Sequence, residues 1–263
     1  MKLEDLAKAQ ENYEQTLEAI EKIILTERSY LFEIPRDEDV LILLSGGLDS
    51  VVMVDWVAQK WQCKIHPLFI KRGARAQEYE ERAFAWYCQF YEKRLGEQWQ
   101  EPIIIEQEIP PHKFKDQISK ERRKNVGLPL RNSTMQNYAI MAAVARNDET
   151  GTNIRTVLSG SVAEDYRCPE LSLLSLRAQT LSTCIQLGQW QWQITSPMVE
   201  PTINKRPMDK RHLIHWAKEN GIPLTHTRSC FSQEKTPCKV CSACLKRERA
   251  FAAAENSEPT SLT

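Results

Sequence analysis

The chain reads as an α/β fold, a parallel sheet with helices on both faces. Short apolar runs alternate with helix-period segments along much of its 263 residues, and the first such run ends in a small-residue loop that leads straight into a helix. Before that run, residues 4 to about 33 lack Gly and Pro and set Leu6, Tyr13, Leu17, Ile20 and Ile24 near a helical repeat. That pattern predicts an amphipathic helix. Because it precedes the first strand, residues 1–36 read as an extension, its apolar face covered either by its own domain or by a second copy or protein partner.

Pro35 to Asp39 makes a polar break, and Val40 to Leu44 is the first strand. Lys64 to Ile70 follows as a second strand, Ala76 to Leu95 as a helix and Ile103 to Ile105 as a third strand. Thr134 to Arg146 reads as a helix capped by Asn132 or Ser133, and Thr156 to Leu158 returns to strand. In such a sheet, ligands gather at the carboxyl ends of the strands. Three segments would share that edge: the first loop, Lys71-Arg72-Gly73, and Ser159-Gly160-Ser161. The domain boundaries expected are 1–36 for the helical extension, 37–225 for the α/β domain, 226–255 for a cysteine module with a C-terminal helix, and 256–263 for a disordered tail.

Leu43-Leu44-Ser45-Gly46-Gly47-Leu48-Asp49-Ser50 carries the strongest chemical signal. Glycines let the backbone approach an anion, the hydroxyls of Ser45 and Ser50 supply donors, and the new helix presents unpaired N–H groups. This is a phosphate cradle. The loop lacks the Gly-Lys-Ser/Thr ending of a Walker A sequence, which disfavours that class of NTPase.

Lys+Arg and Asp+Glu balance at 35 each, so no global basic field argues for a nucleic-acid partner. No apolar run reaches the ~18 residues of a membrane helix, and the first residues do not read as a signal peptide. A cytoplasmic protein is expected. Of eight cysteines, Cys63, Cys88, Cys168 and Cys184 are scattered and read as small buried hydrophobes. Cys230, Cys238, Cys241 and Cys244 instead form C-x7-C-x2-C-x2-C, whose short spacings let four thiolates face one metal. Tetrahedral zinc suits that set, with an iron–sulfur cluster as the competitor.

Three features together resemble the 7-cyano-7-deazaguanine synthase family, QueC, within the ATP pyrophosphatase superfamily. They are Ser45-Gly46-Gly47-Leu48-Asp49-Ser50, Leu128-Pro129-Leu130-Arg131-Asn132, and Ser229-Cys230-Phe231 followed by Cys238 to Arg247. The resemblance spans about Val40 to Ala253. It implies a Rossmann-like fold with ATP, Mg²⁺ and Zn²⁺ as cofactors and a small-molecule 7-deazaguanine substrate. The implied reaction adenylates the carboxylate of 7-carboxy-7-deazaguanine, releases pyrophosphate and AMP, and forms a carbon–nitrogen bond to ammonia. By the same resemblance, Ser45, Asp49, Arg131 and Lys210 are catalytic, with Asp49 acting through Mg²⁺ or capping its helix. Residues 43–50, Lys71, Asn132 and Gly160 hold the nucleotide, and Glu164 and Asp165 face the substrate ring.

The chain departs from the family pattern at Arg72-Gly73-Ala74, Leu130 and Pro169-Glu170-Leu171-Ser172. These changes fall on substrate-side segments, which keeps three alternatives open: a QueC-like antiphage-defence enzyme that acylates a protein amine, a tRNA thiolase, and a nucleotide-binding scaffold without catalysis.

Overall fold

In a computed structural model that describes residues 13–36, 38–125, 127–165 and 168–256, five strands form one sheet in the order β3-β2-β1-β4-β5. They are β1 (Asp39–Leu43), β2 (Lys64–Lys71), β3 (Ile103–Glu106), β4 (Thr156–Leu158) and β5 (Gln193–Thr195), and every neighbouring pair is parallel. Their apolar runs follow from burial on both faces. Along β1, Val40 and Ile42 enter one core layer while Leu41 enters the other, the period of two expected of a strand.

One layer lies beneath α2 (Leu48–Trp61), α3 (Gln77–Leu95), α8 (Lys210–Glu219) and α9 (Ser242–Glu255). The other lies beneath α6 (Arg131–Thr150) and α7 (Leu173–Leu187). Two short helices, α4 (His112–Gln117) and α5 (Lys120–Asn125), precede α6, and α1 (Tyr13–Arg28) packs on α7. Among these helices, none is long and apolar enough to cross a membrane.

α2 is the central helix, with Val51 to Val54 fully buried. Its one deeply buried charge, Asp55, accepts hydrogen bonds from Arg94 Nε of α3 at 2.6 Å, Trp216 Nε1 of α8 at 2.9 Å and Gln59 Nε2 at 2.7 Å. A buried carboxylate is tolerable only when paired in this way. Here the pairing ties three helices of one face together.

Two expectations change. The predicted helix over residues 4 to about 33 ends at Arg28, because Ser29 turns to φ +67° and the Arg28 guanidinium donates to the carbonyls of Tyr30, Leu31, Trp190 and Trp192. The chain is thereby folded back onto the β5 edge. The helix docks on its own domain: Ile24 is buried, and Tyr13 Oη accepts from the Leu174 N–H at 3.1 Å. The readings of residues 1–12, with Leu6, and of 257–263 in the tail lie outside the described residues.

The second change concerns α6, which begins at Arg131 rather than Thr134. Neither Asn132 nor Ser133 caps it. Its N-cap is Leu130 at φ +54°, and the capping carboxylate is Glu170, whose Oε2 accepts from the Asn132 N–H at 2.8 Å. A partner 38 residues away in sequence, which no local pattern reveals, therefore sets where the helix starts. Helix α7 and strand β5 were also unplaced by pattern, although Ser172, whose Oγ accepts from Ser175, and Gly188 at φ +63° are ordinary start and stop signals. Of the scattered cysteines, Cys63 and Cys184 are fully buried, while Cys88 and Cys168 are half-buried.

Arg177 of α7 is 1% exposed and forms a two-bond pair with fully buried Glu200 at 2.8 and 2.6 Å, while its Nε donates to Glu21 of α1 at 3.0 Å. Burial opposes ionisation of Glu200, but Arg177, Thr195 and Thr202 outweigh it and hold the carboxyl below its ordinary 4.5. A depressed folded pKa contributes stability above the unfolded value, and that stability is lost as pH falls through the folded one. Arg177→Met should lower the unfolding free energy by about 3–5 kcal/mol at neutral pH, since it leaves a buried carboxylate unpaired. Denaturant titration at pH 7 and below pH 4 should show the deficit shrinking in acid as Glu200 becomes neutral.

Candidate active site and metal centre

Because the strand order turns back between β1 and β4, the loops leaving these strands lie side by side at the carboxyl edge. A cleft of about 370 Å³ opens there. Its floor is the loop Leu44-Ser45-Gly46-Gly47. Gly46 has φ +73°, and a Cβ on it would come within 2.8 Å of Ala83 Cβ and 3.0 Å of Phe84 N. No other residue fits under α3. Gly160, after β4, is similarly confined, since its Cβ would lie 3.1 Å from Ser50 N.

The hydroxyls of the loop hold one another. Ser45 Oγ and Ser50 Oγ are 3.1 Å apart, the Ser45 N–H donates to Ser50 Oγ at 3.2 Å, and the Gly47 N–H donates to Ser45 Oγ at 3.3 Å. Gly47 caps α2 without a side chain, so the first-turn N–H groups of that helix receive no side-chain cap. Asp49, expected either to act through a cation or to cap its helix, does not cap. Its Oδ2 is ion-paired with Lys210 Nζ, and its Oδ1 is buried without a partner.

Lys210 opens α8 just after Asp209. The Asp209 carboxylate accepts from the backbone N–H groups of Arg211 and His212, and His212 Nδ1 accepts from the Asp209 N–H. This capping box fixes the direction of Lys210. Burial would depress the Lys210 ammonium, but Asp49 beside it and then Asp165 raise its pKa above the ordinary value. It is a charged group aimed at the loop.

The expected site residues do not all play equal parts. Leu43, Leu44, Ser45, Gly47, Leu48, Asp49, Ser50, Arg131, Asn132, Gly160, Asp165 and Lys210 line the cleft together. Gly46 supports the loop from beneath. Glu164 lies behind the wall, where its Oε1 accepts from the Lys210 N–H at 2.9 Å. Asp165 Oδ2 accepts from the Val162 N–H at 3.3 Å. Lys71 turns away to Glu81 at 3.4 Å, and the next residue, Arg72, takes its place on the wall, paired with Glu80 at 2.9 Å. Arg131 has a buried Nε without a partner and spends one weak bond on Asn132 Oδ1 at 3.4 Å. Burial, with Arg72 nearby, lowers its pKa from the ordinary value. The guanidinium stays charged at neutral pH.

Sequence reading missed Gln136, Arg228, Lys246 and Arg247, which also line the cleft. Only their places on α6, in the loop before the cysteines and on α9 bring them there. With them the wall carries six cations (Arg72, Arg131, Lys210, Arg228, Lys246, Arg247) against three carboxylates (Asp49, Glu80, Asp165). A chain of zero formal charge thus concentrates positive charge in the cleft, which suits a polyphosphate.

Arg228 joins this site to the cysteines. Its N–H donates to Gly46 O at 2.9 Å, while its guanidinium donates to the carbonyls of Ser232, Glu234 and Lys235 at 2.6, 2.8 and 3.2 Å. The segment between Cys230 and Cys238 is latched to the phosphate loop in this way.

The Sγ atoms of Cys230, Cys238, Cys241 and Cys244 lie within 4.8 Å of one another. Four thiolates around one zinc ion would sit about 3.8 Å apart, from metal–sulfur bonds of about 2.3 Å in a tetrahedron. Backbone N–H groups of Ser232 and Cys238 donate to Cys230 Sγ at 3.4 and 3.3 Å, and that of Cys241 donates to Cys238 Sγ at 3.4 Å. Burial would raise the Cys230 thiol, but these bonds bring it down to about 6. Cys241 is also lowered, whereas burial and the neighbouring sulfurs push Cys244 up to about 12. The four residues can hold a metal, and the donors aimed at sulfur fit thiolate ligands.

The family model for queuosine biosynthesis protein QueC matches residues 39–255. The 7-cyano-7-deazaguanine synthase of Methanosarcina barkeri is 26% identical over 235 residues, covering 83% of this chain and 96% of that one. The 7-cyano-7-deazaguanine synthase 2 of Desulfitobacterium hafniense is 27% identical, covering 83% and 91%. Among solved structures, a 4-thiouridine synthetase–RNA complex with bound ATP is similar at a TM-score of 0.44 and 14% identity, covering 83% of this chain and 53% of that chain. That likeness is too distant to carry an assignment. With the family match extending over the whole sheet, the cleft and the four cysteines, the chain belongs to the QueC family of queuosine biosynthesis proteins.

Proposed function

We propose that this protein activates the carboxylate of 7-carboxy-7-deazaguanine with ATP and transfers the resulting acyl group to an amine, ammonia being the simplest. The observation that carries this reading is the meeting of the uncapped start of α2, the Ser45–Ser50 loop and the Lys210–Asp49 pair in one cation-rich cleft of a QueC-family chain. A substrate carboxylate oxygen attacks the α-phosphorus of ATP, the bond to the β-phosphate side breaks, and pyrophosphate leaves. The acyl-adenylate then has a good leaving group. Attack by the amine on the acyl carbon expels AMP, and the nitrogen gives up a proton.

Lys210 faces the developing pyrophosphate charge, with Asp49 fixing its position. Arg131, whose Nε has no partner, is placed for the reacting carboxylate or the α-phosphate. Preorganised charge of this kind stabilises the transition state without reorganising at the moment of reaction. The free Oδ1 of Asp49 fits Mg²⁺, which would neutralise phosphate charge when bound. Zn²⁺ in the four-cysteine site would be structural, since no ligand position is left open.

Two of the segments that depart from the family pattern lie on this cleft. Arg72 and Leu171 line it, and Glu170 anchors α6 behind it. On that ground the amide, rather than the nitrile, is the main product with ammonia. Mass spectrometry of a reaction with ATP, the deazaguanine acid and ammonia should show AMP, pyrophosphate and amide; efficient nitrile formation would assign the full synthase reaction, and absence of AMP would reject the activation step.

Ser45→Ala or Asp49→Ala should each reduce AMP release by at least ~10²-fold, the scale for losing one positioned partner of transition-state charge. Near-normal turnover in both variants would remove the loop from the chemistry.

Elemental analysis should find one zinc per chain. Cys238→Ser should lower the melting temperature by about 10 °C or leave the protein unfolded, because binding energy at a structural metal is also folding energy. Iron with sulfide, or soluble protein without metal, would contradict zinc.

A further inference from the structure

Helix α6 buries the stripe Asn132, Gln136, Ala139, Ile140 and Ala143, the face that a helix lays on a sheet. After the first turn, every member except Gln136 is apolar. Gln136 is 1% exposed, and its Nε2 is buried with no hydrogen-bond partner among the described residues. It is not sealed in the core. It lines the cleft with Leu43, Leu68, Ile70 and Met135, all of which belong to the layer between α6 and the sheet. Ser159 Oγ, 8% exposed at the end of β4, is a second buried polar atom without a partner in the same cleft.

An amide donor held away from water without an acceptor destabilises the ligand-free protein. A hydrocarbon beside Leu68 and Ile70 would carry no such penalty, so the amide makes sense only if something that enters the cleft completes it. The surroundings restrict what that is. Aliphatic walls suit the faces of a flat ring and not a phosphate or a sugar, while an amide presents a donor and an acceptor side by side, the pattern that pairs with the edge of a purine.

We propose that Gln136 reads the edge of a purine-type ring bound in this apolar section of the cleft and so determines which ring is accepted. The inference rests on the proposed function, which supplies two rings of this chemistry, the adenine of ATP and the deazaguanine itself. Binding measured separately for each distinguishes them.

The experiment is calorimetric titration of the full-length protein with ATP and, separately, with 7-carboxy-7-deazaguanine, for the wild type, Gln136→Leu and Gln136→Glu. Gln136→Leu should weaken one of the two ligands by about 10-fold or more and leave the other within about 2-fold, the discrimination expected of a side chain reading a base edge. Gln136→Glu, which keeps the shape and removes the N–H donors, should weaken the same ligand. The ligand-free Leu variant should melt no lower than the wild type, a result that a purely structural glutamine would not give. If ATP is the affected ligand, purine riboside triphosphate, which lacks the 6-amino group, should bind the wild type more weakly than ATP and bind Gln136→Leu as well as ATP does. Affinities within 2-fold for both ligands in both variants would overturn the proposal and leave the amide to a water molecule. Should the wild type bind ATP but not the deazaguanine, the substrate reading fails on its own, and the ATP titrations alone then decide for or against Gln136. Should Gln136→Leu not fold, Gln136→Met gives the same reading.

Discussion

The reversal of strand order between β1 and β4 is the constraint from which the cleft follows. A parallel sheet needs a crossover for each strand, and where successive crossovers leave in opposite directions the two loops at that point cannot be covered by a helix. In this protein those loops come so close that Gly160 has no room for a side chain against Ser50, and Gly46 has none against α3. Small residues are required for the backbone to fit at all. The same tightness brings backbone N–H groups and hydroxyls within reach of an anion.

Charge is then delivered to this point from distant parts of the chain. Lys210 comes from α8, Arg131 from α6, and Lys246 and Arg247 from α9, so a sequence without net charge acquires a cationic cleft. Each cation is held by the fold for a different reason. Arg228 and Arg247 spend their guanidinium groups on loop carbonyls and act as braces, and Arg247 donates to Leu224 O and Thr227 Oγ1 at 2.8 and 2.6 Å. Arg131 keeps unspent donors. That difference separates the structural cations from the one best placed to meet a ligand.

The four-cysteine segment and α1 look like appendages to the sheet, but both are tied into the structure that positions the site. Arg228 latches the cysteine segment to Gly46, directly beneath the phosphate loop. Glu21 of α1 extends the Arg177–Glu200 pair, and Glu200 Oε2 also accepts from Thr195 Oγ1 at the end of β5 at 2.9 Å. The segment that follows β5 leads to Lys210. Order at the edges of the molecule thus contributes to geometry at its centre.

Much of this was legible in the sequence. The strand–loop–helix at residues 40–57, the alternation that gives a parallel sheet and the cysteine spacing are local patterns, and local sterics and burial on two faces determine them wherever they occur. The identities of Ser45, Asp49, Arg131 and Lys210 as residues of one site were legible through a resemblance to a family rather than through any spacing between them. Lys71 and Arg72 show the limit, since neighbours on a strand point to opposite sides and only the packed sheet decides which one faces the cleft. The start of α6 depended on Glu170, the end of α1 on carbonyls near β5, and the partnership of Asp49 with Lys210 on a fold that joins positions 161 residues apart. Gln136 looked like an ordinary helix position until the tertiary structure buried its amide beside an open cleft. Sequence by itself determined the elements and the phosphate loop, because those rest on interactions among near neighbours; the tertiary structure decided which side chains meet, because burial and pairing across the sheet are properties of no single segment.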